Sequence, residues 1–183
     1  MESPFDPEKW LEVSAAIEND LQRLVTPLTE SQFHAPPRDG GWSVGFCIEH
    51  LILTGRAYLP RWDAAIAGAT ALPGIESKFR SAWWQREILN RIESPSTVRS
   101  KADAALLPVV RRPIDQTVGG LFALHEDIYR RVTASRNLNW SRVKIQSPFT
   151  SWLSYSLGFS FRLVLAHERR HLTQAERTAA GSR

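Results

Sequence analysis

The chain has one cysteine, no long hydrophobic run and little alternation of apolar and polar residues. The lone cysteine, Cys47, excludes an intrachain disulfide and is typical of proteins from a reducing compartment. The least polar long stretch, residues 152–166, is interrupted by serine and arginine and is too short to span a bilayer. The first twelve residues also lack the basic start and apolar stretch of a signal peptide. We therefore expect a cytoplasmic protein that does not span a membrane.

Basic residues outnumber acidic residues only slightly. The 23 Lys and Arg residues and 19 Asp and Glu residues give a formal net charge of +4. A nucleic-acid-binding domain concentrates such charge in a stripe, whereas here it is scattered along the chain. Pairs such as Arg130-Arg131 and Arg169-Arg170 lie on predicted helices, where a solvated face explains them. The composition therefore argues against nucleic acid as a partner.

Apolar residues recur at spacings of three and four over four long segments, which predicts four principal helices. Asp6, followed by a proline, and Ser43 are suitable N-caps for the first two. The predicted helices span residues of about 7–26, 43–69, 113–135 and 150–179. The fold class is therefore all-α, and residues 1–183 are expected to form a single four-helix bundle domain without a sheet.

The segment between the second and third predicted helices, residues 70–112, is long and has the least regular pattern. We interpret it as an insertion that carries a short helix over residues 79–92. Pro60 falls inside the second predicted helix, so we expect a kink or a break there.

The histidines carry the strongest chemical signal. His167 and His171 are four residues apart, so a helix places both imidazoles on one face with Cβ atoms about 5–6 Å apart. Such a pair can bind one divalent metal ion, with zinc–nitrogen bonds of about 2.0–2.1 Å. His50 lies on the apolar face of the second predicted helix and is a candidate third ligand.

The same run also fits the His-Glu-x-x-His pattern of zinc metallopeptidases, in which Glu168 would be the catalytic general base. The extended form of that pattern fails here, because Gln174 and Arg177 stand where glycine and histidine are required. Glu168 lies about 100° around the helix from His167. We therefore favour a surface position for Glu168, paired with arginine.

The chain combines two motifs: Gly41-Trp42-Ser43 followed by His50-Leu51, and later His167-x-x-x-His171-Leu172-x-Gln174. Together they resemble the DinB superfamily. The resemblance covers the order and length of all four helices and implies a four-helix bundle of DinB type with a long crossover. It implies a divalent metal ion held by His50, His167 and His171, with Gln174 packing or hydrogen-bonding near the site.

The resemblance also implies an activity and a partner. Many members of the superfamily have no established activity, and characterised relatives are thiol-dependent transferases and isomerases. These use low-molecular-weight thiols such as mycothiol or bacillithiol. Relatives often pair through bundle faces, so we expect a homodimer that acts on a small-molecule substrate.

Three neutral imidazoles and one open position are typical of a catalytic rather than a structural zinc site. Water there would have its pKa lowered to about 7, and a thiol would lose its proton more readily still. Zinc and nickel suit these donors best, and iron, cobalt and manganese are compatible. We expect a metal-dependent hydrolase or thiol S-transferase. The alternative is a non-catalytic helical module that binds a metal or a ligand.

Two further residues lie on apolar faces, His125 on that of the third predicted helix and Cys47 on the face that carries His50. His125 is a candidate fourth ligand, partner of a ligand or substrate contact, although we favour a packed, hydrogen-bonded core residue. Cys47 precedes His50 by about one turn and is either a thiolate ligand or, as is commoner for a free cysteine, a small buried hydrophobe. A fourth protein ligand from this pair would favour the binding module over the enzyme.

Overall fold

The computed structural model describes residues 5–38, 40–71, 77–93 and 106–181. Within these ranges the chain forms six helices and two short strands. In chain order they are α1 (Pro7–Val25), α2 (Glu30–His34), α3 (Val44–Ala67), α4 (Trp83–Glu93), α5 (Ile114–Ala134), β1 (Lys144–Gln146), β2 (Ser154–Ser156) and α6 (Leu157–Gly181). None of the described helices has the length and apolar character needed to cross a membrane.

The N-caps of α1 and α3 are the two residues that the sequence indicates. The Asp6 carboxylate accepts a hydrogen bond from the Lys9 backbone N–H at 2.8 Å. The Ser43 hydroxyl oxygen accepts one from the Phe46 backbone N–H at 3.1 Å. Each cap satisfies a backbone donor that the first turn of the helix leaves free.

Four long helices form the bundle. Both α1 and α3 pack against α5 and α6, so α1 and α3 occupy opposite corners, and α4 packs on the outside of α6. The α3–α5 contact is close at Gly55, where a Cβ atom would lie 2.4 Å from Cδ2 of Leu124. The predicted four-helix bundle is confirmed, with α3 and α6 as neighbours.

The first three predicted helices agree with α1, α3 and α5 to within two residues at each end. The prediction that the fourth helix begins at residue 150 is wrong. Residues 144–146 and 154–156 pair as an antiparallel hairpin with Ile145 opposite Tyr155, and α6 begins only at Leu157. The expectation of no sheet is also wrong to this extent, because three-residue strands are too short to show an alternating pattern.

Of the kink or break expected at Pro60, the break does not occur, since α3 is continuous from Val44 to Ala67. Proline removes the hydrogen bond to the carbonyl four residues earlier, and here both Pro60 and Arg56 lie on the exposed face of the helix. The freed carbonyl of Arg56 is therefore on the side of the helix that water can reach.

The predicted insertion, residues 70–112, contains α4, which lies close to the expected short helix. Just before α4, Phe79 exchanges two backbone hydrogen bonds with Phe5, at 2.8 and 2.7 Å. Residues 72–76 and 94–105 of the insertion lie outside the described part of the chain.

Candidate metal centre

His50 from α3 meets His167 and His171 from α6 inside the bundle. The ring centroid of His50 lies 5.2 Å from that of His167 and 4.8 Å from that of His171, and the two α6 rings are 4.5 Å apart. One ring nitrogen from each histidine lies within 4.8 Å of the other two. The structure thus brings together the three residues that the sequence proposes as ligands.

Hydrogen bonds at the far side of two rings fix which nitrogen faces the cluster. His50 Nδ1 lies 2.9 Å from the backbone carbonyl of Leu106, and His171 Nδ1 lies 3.1 Å from Oε1 of Gln174. Because a carbonyl oxygen can only accept, both Nδ1 atoms carry the proton and donate. The Nε2 atoms of His50 and His171 keep their lone pairs, which is the form that binds a metal ion.

The spacing of the donors fits a divalent ion. Two nitrogens bound to one tetrahedral zinc ion at 2.0–2.1 Å lie about 3.3 Å apart. His167 Nε2 and His171 Nε2 are 3.1 Å apart, which is close to that distance. The remaining separations are at most 4.8 Å, so small rotations of the side chains would bring all three donors into range.

The surroundings keep the three rings neutral. Burial lowers the pKa of His50, partly opposed by its hydrogen bond to Leu106. Burial, together with the positive charges that His50 and Arg170 carry when protonated, lowers the pKa of His171 to about 3. Burial and the neighbouring His171, His50 and Arg170 lower the pKa of His167 well below its usual range. Neutral imidazole is the ligating form, so these shifts favour metal binding near neutral pH.

Trp42, just before α3, forms one wall of the site. Its indole stacks on the His171 ring, with centroids 5.4 Å apart and planes 11° from parallel, and it meets the His50 ring at 4.9 Å. His50 and His171 are buried, whereas Trp42 and His167 are half-buried. The partly exposed residues beside the cluster are therefore Trp42 and His167.

The structure does not add Cys47 or His125 to the cluster. Among the described residues, the three histidines form the one group whose donor atoms converge. Cys47 is fully buried, and burial raises the pKa of its thiol to about 12, so it stays protonated and behaves as a small apolar residue. Neither residue supplies a fourth protein ligand.

His125 instead lies between two carboxylates. Its Nδ1 donates to Glu18 Oε1 at 2.8 Å, and its Nε2 donates to Glu168 Oε2 at 3.2 Å. Burial alone would lower the pKa of His125, but the charges and hydrogen bonds of Glu168 and Glu18 outweigh burial and raise it to about 10. His125 is therefore a positively charged residue inside the bundle, and the interpretation as a packed, hydrogen-bonded residue agrees with this geometry.

The favoured surface position of Glu168 is wrong, because its side chain is buried and its partner is His125 rather than an arginine. An acidic side chain is rarely buried without a partner, and here the charged imidazole of α5 supplies one. In the sequence, α6 is visible only as a stripe of apolar residues. The sequence does not show which helix packs beside that stripe.

Two concave regions of the surface lie away from the histidine cluster. One, of about 480 Å³, lies between the second half of α3 and β1 and includes Ala57, Arg61 and Lys144. The other, of about 330 Å³, lies between α1 and α5 and includes Trp10, Glu18 and His125. Neither region includes His50, His167 or His171.

Sequence reasoning missed one group of residues beside the site. Glu49 is buried, and its carboxylate accepts hydrogen bonds from Arg112 and from the Thr117 hydroxyl. An acidic residue within the apolar stretch that contains His50 is a detectable signal, because it predicts a buried partner. The hydrogen bond between Leu106 and His50 has no such signal in the sequence, since Leu106 makes it with its backbone carbonyl.

Comparison with known proteins gives a family match. A family model described as the DinB superfamily matches residues 15–175. A protein of Geobacillus kaustophilus is 28% identical over 104 residues, which cover 56% of this chain and 48% of that protein. The YfiT protein of Bacillus subtilis is 30% identical over 76 residues, which cover 42% of each chain. Both are named, provisionally, as metal-dependent hydrolases, and this chain spans about half the length of these curated relatives or less.

A solved structure of YfiT from Bacillus subtilis, provisionally described as a metal-dependent hydrolase with an unusual four-helix bundle topology, has a similar fold. The superposition has a TM-score of 0.58 and covers 95% of this chain and 86% of YfiT, at 18% sequence identity. Identity at this level indicates a shared fold and leaves the chemistry to be argued from the residues.

Proposed function

Because the chain belongs to the DinB superfamily, we propose that it is a metal-dependent enzyme whose divalent ion is held by His50, His167 and His171. The reaction is hydrolysis of a small-molecule substrate or transfer to a low-molecular-weight thiol. Of these two reactions, the names of the curated relatives support hydrolysis.

The convergence of three neutral imidazoles is the observation that carries the proposal. Two of the rings are oriented by Leu106 and Gln174 so that Nε2 faces the cluster. An ion with three histidine ligands keeps a position open to water or substrate, and when bound it supplies Lewis acidity that lowers the pKa of water or of a thiol. Zinc or nickel is the expected metal, and iron, cobalt and manganese are compatible with the donors.

The surrounding residues have separate tasks in this proposal. Trp42 covers one face of His171 and presents an aromatic wall to a bound substrate. The role of Glu168 as a catalytic base remains a prediction. The hydrogen bond described for its carboxylate is with His125 and not with a ligand histidine. We assign Glu168 to holding His125 in the core and leave it out of the proposed reaction.

The test compares metal content and activity in matched histidine variants. We expect about one divalent ion per chain in the wild type and less than a tenth of that in His171→Ala. His34→Ala is the control, because His34 lies in α2, with Nε2 3.7 Å from Oε2 of Glu30, and is outside the cluster. Wild-type protein that takes up no metal would refute the proposal.

Activity assays then separate the two reactions. Ester and amide substrates test hydrolysis, and an electrophilic substrate with each low-molecular-weight thiol tests S-transfer. Wild-type protein that binds metal and catalyses neither reaction would favour the non-catalytic binding module. No residue beyond the three histidines completes a closed set of ligands in the described structure, which supports the enzyme over that module.

We also propose that the protein forms a homodimer. Trp83 on α4 and Trp152 in the β1–β2 turn are 75% and 84% exposed, and large exposed aromatic residues are typical of interfaces. Sedimentation at micromolar concentration tests this, and a single monomeric species would contradict it. A cytoplasmic location stays a prediction from the sequence.

A further inference from the structure

We propose that the segment from Leu106 to Arg112 positions the metal site. In this proposal the Leu106 carbonyl sets the tautomer and direction of His50, and the ion pair between Arg112 and Glu49 holds that carbonyl in place. The inference rests on the proposed function, because it concerns how tightly the same three histidines bind a metal ion.

The first step is the contact between Leu106 and His50. The carbonyl lies 2.9 Å from Nδ1 of His50 and accepts its proton. A hydrogen bond to the second ring nitrogen of a metal-binding histidine fixes the tautomer and the plane of the ring. Gln174 makes the equivalent hydrogen bond to His171, and it is only three residues away on α6. The partner of His50 is 56 residues away along the chain.

The second step is how the 106–112 segment reaches α3. Arg112 forms an ion pair with Glu49, which directly precedes His50. Thr117, in the first turn of α5, donates its hydroxyl to Glu49 Oε1 at 3.2 Å. The Glu49 side chain is 6% exposed, so its oxygens need these two protein donors in place of water. The segment thus contacts two successive residues of α3, through Arg112 and through Leu106.

The third step is that apolar packing does not hold the segment. Leu107, Val109 and Val110 are 37%, 95% and 54% exposed, so the stretch between the two contacts gains little from burial. Polar contacts therefore decide where the Leu106 carbonyl lies. This separates the Arg112–Glu49 pair from an ordinary ion pair, whose loss affects stability alone.

The main test is a pair of double variants. Glu49→Gln with Arg112→Met removes the ion pair without leaving a buried charge, and the new amide can still accept from Thr117. Asp63→Asn with Arg131→Met is the matched control, because Arg131 of α5 and Asp63 of α3 form a 2.8 Å ion pair that, like the pair between Arg112 and Glu49, ends on α3. Asp63 lies 13 residues after His50, which is about 20 Å along the helix.

The readout is the dissociation constant for Zn²⁺, measured by competition with a chromophoric chelator, together with the absorption spectrum of the Co²⁺ form. We expect the first double variant to bind Zn²⁺ about 10- to 100-fold more weakly and to change the Co²⁺ spectrum. The control should bind within twofold of the wild type. Equal affinity in the two double variants would overturn the inference, whereas a wild type that binds no metal would refute the proposed function instead.

If the first double variant does not fold, a backbone substitution tests whether the Leu106 carbonyl affects metal binding. Replacing Leu107 by its α-hydroxy analogue turns the carbonyl of Leu106 into an ester carbonyl, which is a weaker hydrogen-bond acceptor, and changes no side chain. We expect about tenfold weaker Zn²⁺ binding, and no change when the same replacement is made at Val110. Unchanged binding in the Leu107 ester would also overturn the inference.

Discussion

The indole of Trp42 lies nearly parallel to the imidazole of His171, with centroids 5.4 Å apart and planes 11° from parallel. Trp42 precedes α3 and His171 belongs to α6, so this stack joins the two elements that supply the proposed ligands. The same indole meets the His50 ring at 4.9 Å. A change in metal occupancy should therefore alter the fluorescence of this tryptophan directly.

We predict that Cu²⁺ or Co²⁺ quenches tryptophan fluorescence mainly through Trp42. Trp42→Phe should abolish most of the metal-dependent quenching, because it removes the indole in contact with two ligands. Trp83→Phe should preserve it, since Trp83 lies on α4 and is 75% exposed. Titration of the three proteins with metal measures this. Equal quenching in Trp42→Phe and the wild type would place the ion elsewhere.

Metal removal is predicted to lower the thermal stability. A ligand at 100 times its dissociation constant stabilises the folded state by about 2.7 kcal/mol, which is about 5–11 °C in Tm for a chain of this size. Addition of a chelator should produce this loss in the wild type and none in His167→Ala, whose site is incomplete. Differential scanning calorimetry checks the prediction, and an equal loss in the variant would contradict it.

Metal binding at pH 6.0 should release less than one proton from the three histidines. Imidazoles with an ordinary pKa of 6.5 would together carry about two protons at this pH and lose them to the metal. Here the pKa values of all three are lowered, that of His171 to about 3. Isothermal titration calorimetry in buffers of different ionisation enthalpy counts the protons. Release of two protons would mean that the rings are more solvated than the structure shows.

The pairing of His125 predicts a loss of stability at high pH. Its folded-state pKa of about 10 is above the unfolded value of 6.5, so its contribution is complete below pH 6.5 and disappears as the pH rises through 10. Urea unfolding of the wild type and His125→Gln at pH 6, 8 and 10 tests this. The difference in unfolding free energy should shrink by a few kcal/mol across this range. A difference that is constant with pH would show that the pKa of His125 is the same in the folded and the unfolded state.

The parts of the structure that follow from the sequence are those with a repeating signal. The apolar stripes predict the ends of α1, α3 and α5, because capping residues and helical spacing act locally. His167 and His171 are predictable as a pair, because a helix fixes their relation. Glu168 is not, since its environment depends on His125, which α5 brings from 43 residues away. The same holds for Leu106, whose carbonyl carries no signal of its own.

The ligands are widely separated in the sequence, since His167 follows His50 by 117 residues. At 5–20 residues per second, a ribosome needs about 6–23 seconds to make that stretch. Throughout this interval the nascent chain carries only one of the three proposed ligands, His50, and lacks the chelating pair of α6. Capture of a cation therefore waits until α6 is synthesised and has docked on α3, so metallation becomes a late event in the biogenesis of the protein.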